Sequence, residues 1–333
     1  MHTSRLIGLT AALAAATLTL ASCGGAATSE TPAKENASAD SGFPVTIEHF
    51  RGKTELAERP LRVAALDPSY VDATLLLGAE LVAYTEYRKS GNPFPEYLGD
   101  VTELTEDAVN VGTTTEPDLE KLLAADPDII ISADVRQGGM YDQLNKIAPT
   151  VFSESTGPTW KENVVLLGET LGKKSEAEQA VADYETRAAA VGKEILAQQA
   201  DTTYSLVRFA GEDTARLYAT DSFIGEIMAD MDIPRPKDAP DTTESIFVPL
   251  SSEEILKADA EVIFQSTWAP EGAEGDASRD QEKKFTSNPL WKKLTGEVLP
   301  VDDSIFLSSV SLQGANEVIT QVAEHFDVDP QLS

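Results

Sequence analysis

A chain of 333 residues with 41% apolar side chains is long enough for about two domains and rich enough in core-forming residues to exclude disorder throughout. Its 56 acidic against 26 basic residues give a formal charge of −30, a field that repels nucleic acid, so no nucleic-acid partner is expected. The single cysteine, Cys23, excludes an internal disulfide, and the three histidines, His2, His49 and His325, lie towards the two ends of the chain, which argues against a metal or catalytic cluster built on histidine.

The N-terminus reads as an address. Met1 to Arg5 is polar with one positive charge, and Leu6 to Leu20 is apolar or small with interspersed threonine. That run is shorter than the ~20 residues that span a bilayer and fits a secretory signal over residues 1–22. It ends in Leu20-Ala21-Ser22-Cys23-Gly24, which resembles the bacterial lipoprotein cleavage box. The resemblance implies that Cys23 is lipidated, becomes the new N-terminus and anchors the protein to the extracytoplasmic face of the cell membrane through acyl chains such as palmitate. Gly25 to Gly42 is rich in Ala, Ser, Thr, Glu and Gly, so residues 23–42 read as a flexible tether.

Folded structure is expected from Phe43. Val45-Thr46-Ile47 alternates like an edge strand. Leu61 to Leu66 reads as a buried strand stopped by Asp67-Pro68, Tyr70 to Leu77 as a helix ended by Gly78, and Leu81 to Tyr84 as the next strand. Glu116 to Ala125 is predicted helical with Pro117 in its first turn, followed by strands at Asp128 to Ile131 and Thr150 to Phe152. Strands and helices alternating at this spacing predict a parallel α/β sheet. Between the halves, Ser175 to Gln199 lacks proline and is dominated by Ala, Glu and Gln. It predicts one helix of about 25 residues, nearly 40 Å long, opened by a capping box of Ser175 and Glu178. The second half repeats the theme, with its clearest strands at Tyr204 to Phe209 and Val262 to Phe264. The expected layout is a lobe over 43–172, a connecting helix over 173–200 and a second lobe over 201–333.

An internal echo supports two lobes of similar design. Glu120-Lys121-Leu122-Leu123-Ala124-Ala125-Asp126-Pro127-Asp128-Ile129-Ile130-Ile131 aligns without gaps with Glu253-Glu254-Ile255-Leu256-Lys257-Ala258-Asp259-Ala260-Glu261-Val262-Ile263-Phe264. Each has a leading glutamate, an apolar pair, an Ala-Asp corner, an acid and three strand residues.

These features resemble the periplasmic binding proteins for ferric siderophores, haem and cobalamin, over nearly all of the mature chain. The most specific stretch runs from Glu116-Pro117-Asp118-Leu119-Glu120-Lys121-Leu122 to Pro127-Asp128-Ile129-Ile130. Tyr141-Asp142-Gln143-Leu144, Ile147-Ala148-Pro149-Thr150, Val207-Arg208-Phe209, Ser222-Phe223-Ile224-Gly225 and Asn288-Pro289-Leu290-Trp291 add to it, several in the manner of the siderophore branch. The resemblance implies an α/β fold of the class III binding-protein type: two Rossmann-like lobes with parallel sheets, joined by a single long backbone helix. It implies a monomeric carrier, not an enzyme, that captures a ferric siderophore and delivers it to an ABC permease dimer with its ATPase. No cofactor or direct metal ligand is expected, because the chelator fills the coordination sphere of iron. Haem or cobalamin is the alternative ligand.

In open α/β sheets ligands bind outside the carboxyl ends of the strands. The candidates there are Arg88 with Tyr87 after the Leu81 strand, Arg136 after Ile131, Arg208 in the Tyr204 strand, Arg216 and Tyr218 on a short segment expected to pair nearby, Trp268 after Phe264, and Trp160 after Phe152. Tyr141 is a further candidate. Guanidinium offers a planar, permanently charged fork for the oxygens of an anionic chelate, and aromatic faces suit its rings and apolar parts. The family resemblance assigns Glu120 and Glu253 to docking on the two-fold permease, one glutamate per lobe. A stiff helical connector also predicts limited lobe closure. Against these readings stand a haem carrier using Tyr87, Tyr141 or Tyr218 as axial ligand, an anchored enzyme, and an adhesin or sensor. No G-x-S-x-G elbow, paired-histidine motif or P-loop supports the enzyme.

Overall fold

The computed structural model describes residues 42–86 and 94–331. The signal segment, the tether with Cys23, and both Tyr87 and Arg88 lie outside the described residues. A hairpin of β1 (Val45–His49) and β2 (Gly52–Leu56) opens the fold. The first half continues as β3 (Arg62–Ala65), α1 (Pro68–Leu76), β4 (Glu80–Glu86), α2 (Thr102–Thr105), β5 (Val109–Thr113), β6 (Glu116–Pro117), α3 (Leu119–Ala124), β7 (Ile129–Ala133), α4 (Asp134–Gln137), α5 (Tyr141–Leu144) and β8 (Thr150–Ser153). These strands form a sheet of order β6-β5-β4-β3-β7-β8, parallel throughout except for β6. Val63, Ala64, Ile129, Ile130 and Ile131 are fully buried, as a parallel sheet covered on both faces requires.

The helix boundaries follow local chemistry. The Asp67 side chain accepts from the Ser69 amide at 3.0 Å and caps α1, with Pro68 in the first turn, where its missing N–H costs nothing. The helix predicted from Glu116 begins later: Pro117 belongs to β6, and Asp118 caps α3 by accepting from the amides of Glu120 and Lys121. A carboxylate with two backbone donors outcompetes a start at Pro117.

After α6 (Trp160–Thr170), the long helix α7 (Lys174–Gln198) is present as predicted, at 25 residues. Its start differs from the predicted capping box. Lys173 occupies the cap position without a side-chain cap bond. The turn out of α6 is so tight, with Lys173 N bonded to Gly168 O at 2.7 Å, that the chain is already helical at Ser175. Ala177, Tyr184, Ala188, Val191, Gly192 and Ile195 form the buried stripe of α7.

The second half comprises β9 (Tyr204–Phe209), β10 (Ala215–Tyr218), α8 (Phe223–Asp230), β11 (Phe247–Leu250), β12 (Val262–Thr267), α9 (Ala273–Thr286), β13 (Glu297–Val301) and α10 (Leu312–His325). Its sheet has the order β11-β10-β9-β12-β13. Only β9, β12 and β13 are mutually parallel; β10 and β11 are antiparallel additions, so this sheet is mixed rather than parallel. Residues 210–214 form too short a link for the crossover that a parallel β10 needs.

The internal echo survives in side-chain placement. Leu122 and Ile255 are fully buried at matched positions, while the next residues, Leu123 and Leu256, are 61% and 40% exposed. The backbone differs: α3 is α-helical, whereas Ile255–Ala258 is a 3₁₀ turn.

One apolar core runs from Ile47 to Val328 and includes residues of both sheets and of α7. Tyr184 of α7 meets Trp160 of α6 edge-on at 5.0 Å. Arg187 of α7 donates to the Asn316 and Pro330 carbonyls and to Thr320 Oγ1 at 2.7–2.8 Å, fastening α10 and the chain just after it. Gly192 faces the Met231 carbonyl so closely that a Cβ there would lie 1.8 Å from it. Among the described residues no helix is long and apolar enough to cross a membrane.

Candidate functional site

The carboxyl ends of β3, β7, β8, β9, β12 and β13 converge on a cleft between the two sheets. One chamber, of about 270 Å³, receives Asp67, Arg136 and residues 155–158 from the first half, and Arg208, Arg216, Tyr218, Phe223 and Ser308 from the second. A larger space of about 810 Å³ shares Arg136 and extends to Thr113–Thr115, Gly211, Trp268 and the start of α9. The larger volume lies within the range of small-molecule sites, about 300–1,000 Å³, and the smaller just below it.

Each of the three guanidiniums is held by a carboxylate. Arg208, 4% exposed, donates through Nε and Nη2 to the two oxygens of Asp303 at 2.6 Å each, and through Nη1 to the Tyr218 hydroxyl at 3.0 Å. Asp303 also accepts from Ser266 Oγ at 2.8 Å and Ser308 Oγ at 2.9 Å. Arg136 Nε donates to Asp67 Oδ2 at 2.7 Å, so the carboxylate that caps α1 also orients a cleft arginine. Arg216 pairs with Glu212 and lies 4.5 Å over the Phe247 ring. Arg216 stands directly opposite Arg208 across the β9–β10 pair. Like charges in that position are unfavourable for a sheet, and here both guanidiniums serve one chamber. Val310, on the same wall, has φ of 45°, an uncommon conformation for a β-branched residue of the kind found at binding sites.

A second chamber, of about 330 Å³, opens on the other side of Trp268. Asp72 on α1 is one of its buried carboxyls. The hydroxyls of Tyr97 and Ser311 donate to Asp72 Oδ2 at 2.9 and 2.5 Å, and Gln313 Nε2 donates to the Asp72 carbonyl at 2.7 Å. The C-terminal helix thus closes on the first half. Burial pushes the Asp72 carboxyl up to about 7, against the lowering effect of the two hydroxyls and with the help of Asp67. The folded state therefore holds a proton that the unfolded chain has lost, and stability falls as pH rises from about 4 through 7. Wild-type protein is expected to lose on the order of 4 kcal/mol more than Asp72→Asn over this range. Urea unfolding at stepped pH measures it; parallel stability curves for the two proteins would contradict it.

The other sequence candidates divide. Trp268, 8% exposed, sits between the second chamber and the large space. Trp160 is not a cleft residue: it is 1% exposed and packs edge-on against Tyr184 and Phe223, because α6 turns its first residue into the shared core. Tyr141 does not line these chambers either and packs against Phe152 and His49. Tyr87 and Arg88 fall outside the described residues. Glu120 and Glu253 are exposed. Asp67, Asp303, Asp72 and Tyr97 went unread in the sequence as site residues, although Asp67 and Asp303 follow strand ends as the arginines do. Among the described residues no group of three or more His, Cys, Asp or Glu side chains is arranged to hold a metal ion.

The model of the family described as periplasmic binding protein matches residues 63–296. The chain is 32% identical over 304 residues to the "Probable siderophore-binding lipoprotein YfiY" of Bacillus subtilis, covering 87% of this chain and 90% of that protein. It is 25% identical to the ferric-anguibactin-binding protein FatB of Vibrio anguillarum, over 85% and 88% of the two chains. Among solved structures it is similar to SirA of Staphylococcus aureus complexed with staphyloferrin B, with a TM-score of 0.78, 28% identity, and coverage of 86% of this chain and 100% of that one.

Proposed function

The chain belongs to the periplasmic binding protein family, and we propose that it is a lipid-anchored, extracytoplasmic carrier that captures a ferric siderophore and delivers it to an ABC importer. The observation that carries this reading is the convergence of Arg136 from one half with Arg208 and Arg216 from the other on a single chamber. The three guanidiniums, each oriented by a carboxylate, bring planar N–H forks to one chamber, a local site for an anionic, oxygen-rich ligand. The siderophore-binding names of YfiY and FatB support the same ligand class.

The division of labour follows. Residues 43–172 and 201–333 form two lobes linked by 173–200. Trp268 and Tyr218 line the cleft beside the guanidiniums. Iron enters as cargo already wrapped by its chelator. Cys23 carries the lipid, and the protein acts as a monomer without turnover chemistry. Glu120 and Glu253, one in each half, face the permease dimer, whose ATPase drives uptake.

Tryptophan fluorescence tests this. Ferric siderophores of the catecholate, hydroxamate and hydroxycarboxylate classes are titrated alongside their iron-free forms and haem. At least one ferric siderophore is expected to quench at micromolar concentration or below, and Trp268→Phe to lose most of that signal. Quenching by haem alone, or by none of the ligands, would overturn the assignment.

A further inference from the structure

The chamber that receives the guanidiniums has a second chemistry that their charge does not explain. Few large apolar side chains are left exposed among the described residues, and two of them line this one space of about 270 Å³. Val135, 60% exposed, comes from the first half, and Ile246, 38% exposed, from the second. Each stands beside a cleft arginine. Val135 directly precedes Arg136 in α4, and Ile246 directly precedes β11, which pairs with the strand carrying Arg216. The backbone holds both in place: the Val135 amide donates to the Glu154 carbonyl at 3.2 Å, and the Ile246 carbonyl accepts from the Ala219 amide at 3.0 Å. Half-buried Pro158 and Val310 continue the apolar wall.

Gly157 keeps the space between the halves open. A Cβ there would stand 3.9 Å from Ile246 Cγ2 and meet nothing else within 4 Å. Its φ lies outside the left-handed region, so the backbone does not demand glycine at this position. Room, rather than conformational freedom, is what the missing side chain supplies.

Aliphatic surface left exposed inside a binding chamber gains by burial against an apolar ligand group. We infer that this chamber takes an apolar arm of the chelate, alkyl or aryl, set next to the iron-binding oxygens, so that the preferred ligand is an amphiphilic ferric chelate rather than one polar on every side. This rests on the reading of the cleft as a ferric-chelate site. The oxygens meet the forks of Arg136 and Arg216, and the arm lies between Val135 and Ile246 beside Gly157, touching both halves. A space of about 270 Å³ suits an arm rather than a whole chelate, whose bulk belongs in the adjoining space of about 810 Å³; Arg136 lines both.

Matched pairs of synthetic ferric chelates, titrated against the full-length protein, test this. Within each pair the iron-binding donors are identical. One member bears an n-butyl amide next to those donors, and the other carries a hydroxyl in place of the terminal methyl, with length and charge unchanged. Catecholate, hydroxamate and hydroxycarboxylate pairs are used. Within the donor class that binds, the butyl member is expected to bind about tenfold tighter. Val135→Ser/Ile246→Ser, at two exposed positions where substitution costs the fold little, is expected to bring that ratio close to one. So is Gly157→Val, which fills the gap and leaves the arginines in place. Equal affinities in the wild-type protein, tighter binding of the hydroxyl member, or a preference that survives both variants overturns the inference and leaves the chelate site standing. Equal weakening of both members by the serine variant would make Val135 and Ile246 contacts between the halves, and overturns it too. Failure of every pair to bind overturns both readings.

Discussion

Arg208→Ala is expected to lower the unfolding free energy by about 3–5 kcal/mol and to weaken ferric-chelate binding by at least tenfold. The stability effect comes from what is left behind. Asp303 is 8% exposed and relies on the guanidinium for two of its hydrogen bonds. Ser266 and Ser308 remain as donors, but they bring no charge to a buried carboxylate. Asp303→Ala strands the guanidinium in the same way, so the double variant is expected to be more stable than the sum of the single losses implies, by about 1–3 kcal/mol. Denaturant unfolding of the four proteins measures this coupling, and simple additivity would show that the pair is not a unit. Arg216 is the control: its pair with the 42% exposed Glu212 is worth about 1 kcal/mol or less. Loss of affinity in Arg216→Ala therefore reports on ligand contact with little loss of fold.

The second large effect belongs to transport rather than binding. Glu120 and Glu253 occupy matched places in the repeated helix–strand units, and both are exposed. Each is followed three residues later by an exposed leucine, Leu123 or Leu256, so each half presents an acid beside an apolar contact. Truncating one partner of a buried interfacial charge pair costs about 2–5 kcal/mol. Glu120→Ala/Glu253→Ala is accordingly expected to reduce cellular uptake of a ferric chelate by tenfold or more while the affinity of the purified protein for that chelate stays within about twofold, since neither residue lines the cleft. Unchanged uptake by the double variant would remove the glutamates from docking.

The parts of this protein legible in its sequence are those set by local patterning. The strands at Tyr204–Phe209 and Ile129–Ala133 and the length of α7 follow from apolar runs and the absence of proline. Caps were less legible. Asp118 and Ser175 are both good capping residues, and only the tertiary course of the chain selects the first and passes over the second. The site was half visible: arginines stand out in an acidic chain, whereas the carboxylates that orient them, Asp67, Asp303 and Glu212, are hidden among 56 acidic residues. Trp160 and Tyr141 follow or flank strands as site residues do, yet neither lines the cleft chambers, because side-chain direction is set by helix rotation rather than by sequence position. The closure of α10 on Asp72 joins residues 239 apart in the chain, beyond the reach of any local pattern.

In the proposed carrier, guanidiniums from both halves jointly hold one anionic ferric chelate. The dissociation constant of that chelate is to be compared for wild-type protein, Arg136→Gln, Arg216→Gln and the double variant, all at one salt concentration. Each single change is expected to weaken binding by about ten- to a hundredfold, and the double variant by roughly the product, with the unfolding midpoint little changed in Arg216→Gln and lowered in Arg136→Gln, which takes the cation from the buried Asp67. Wild-type affinity in the double variant would mean that the chelate, if bound, is held elsewhere.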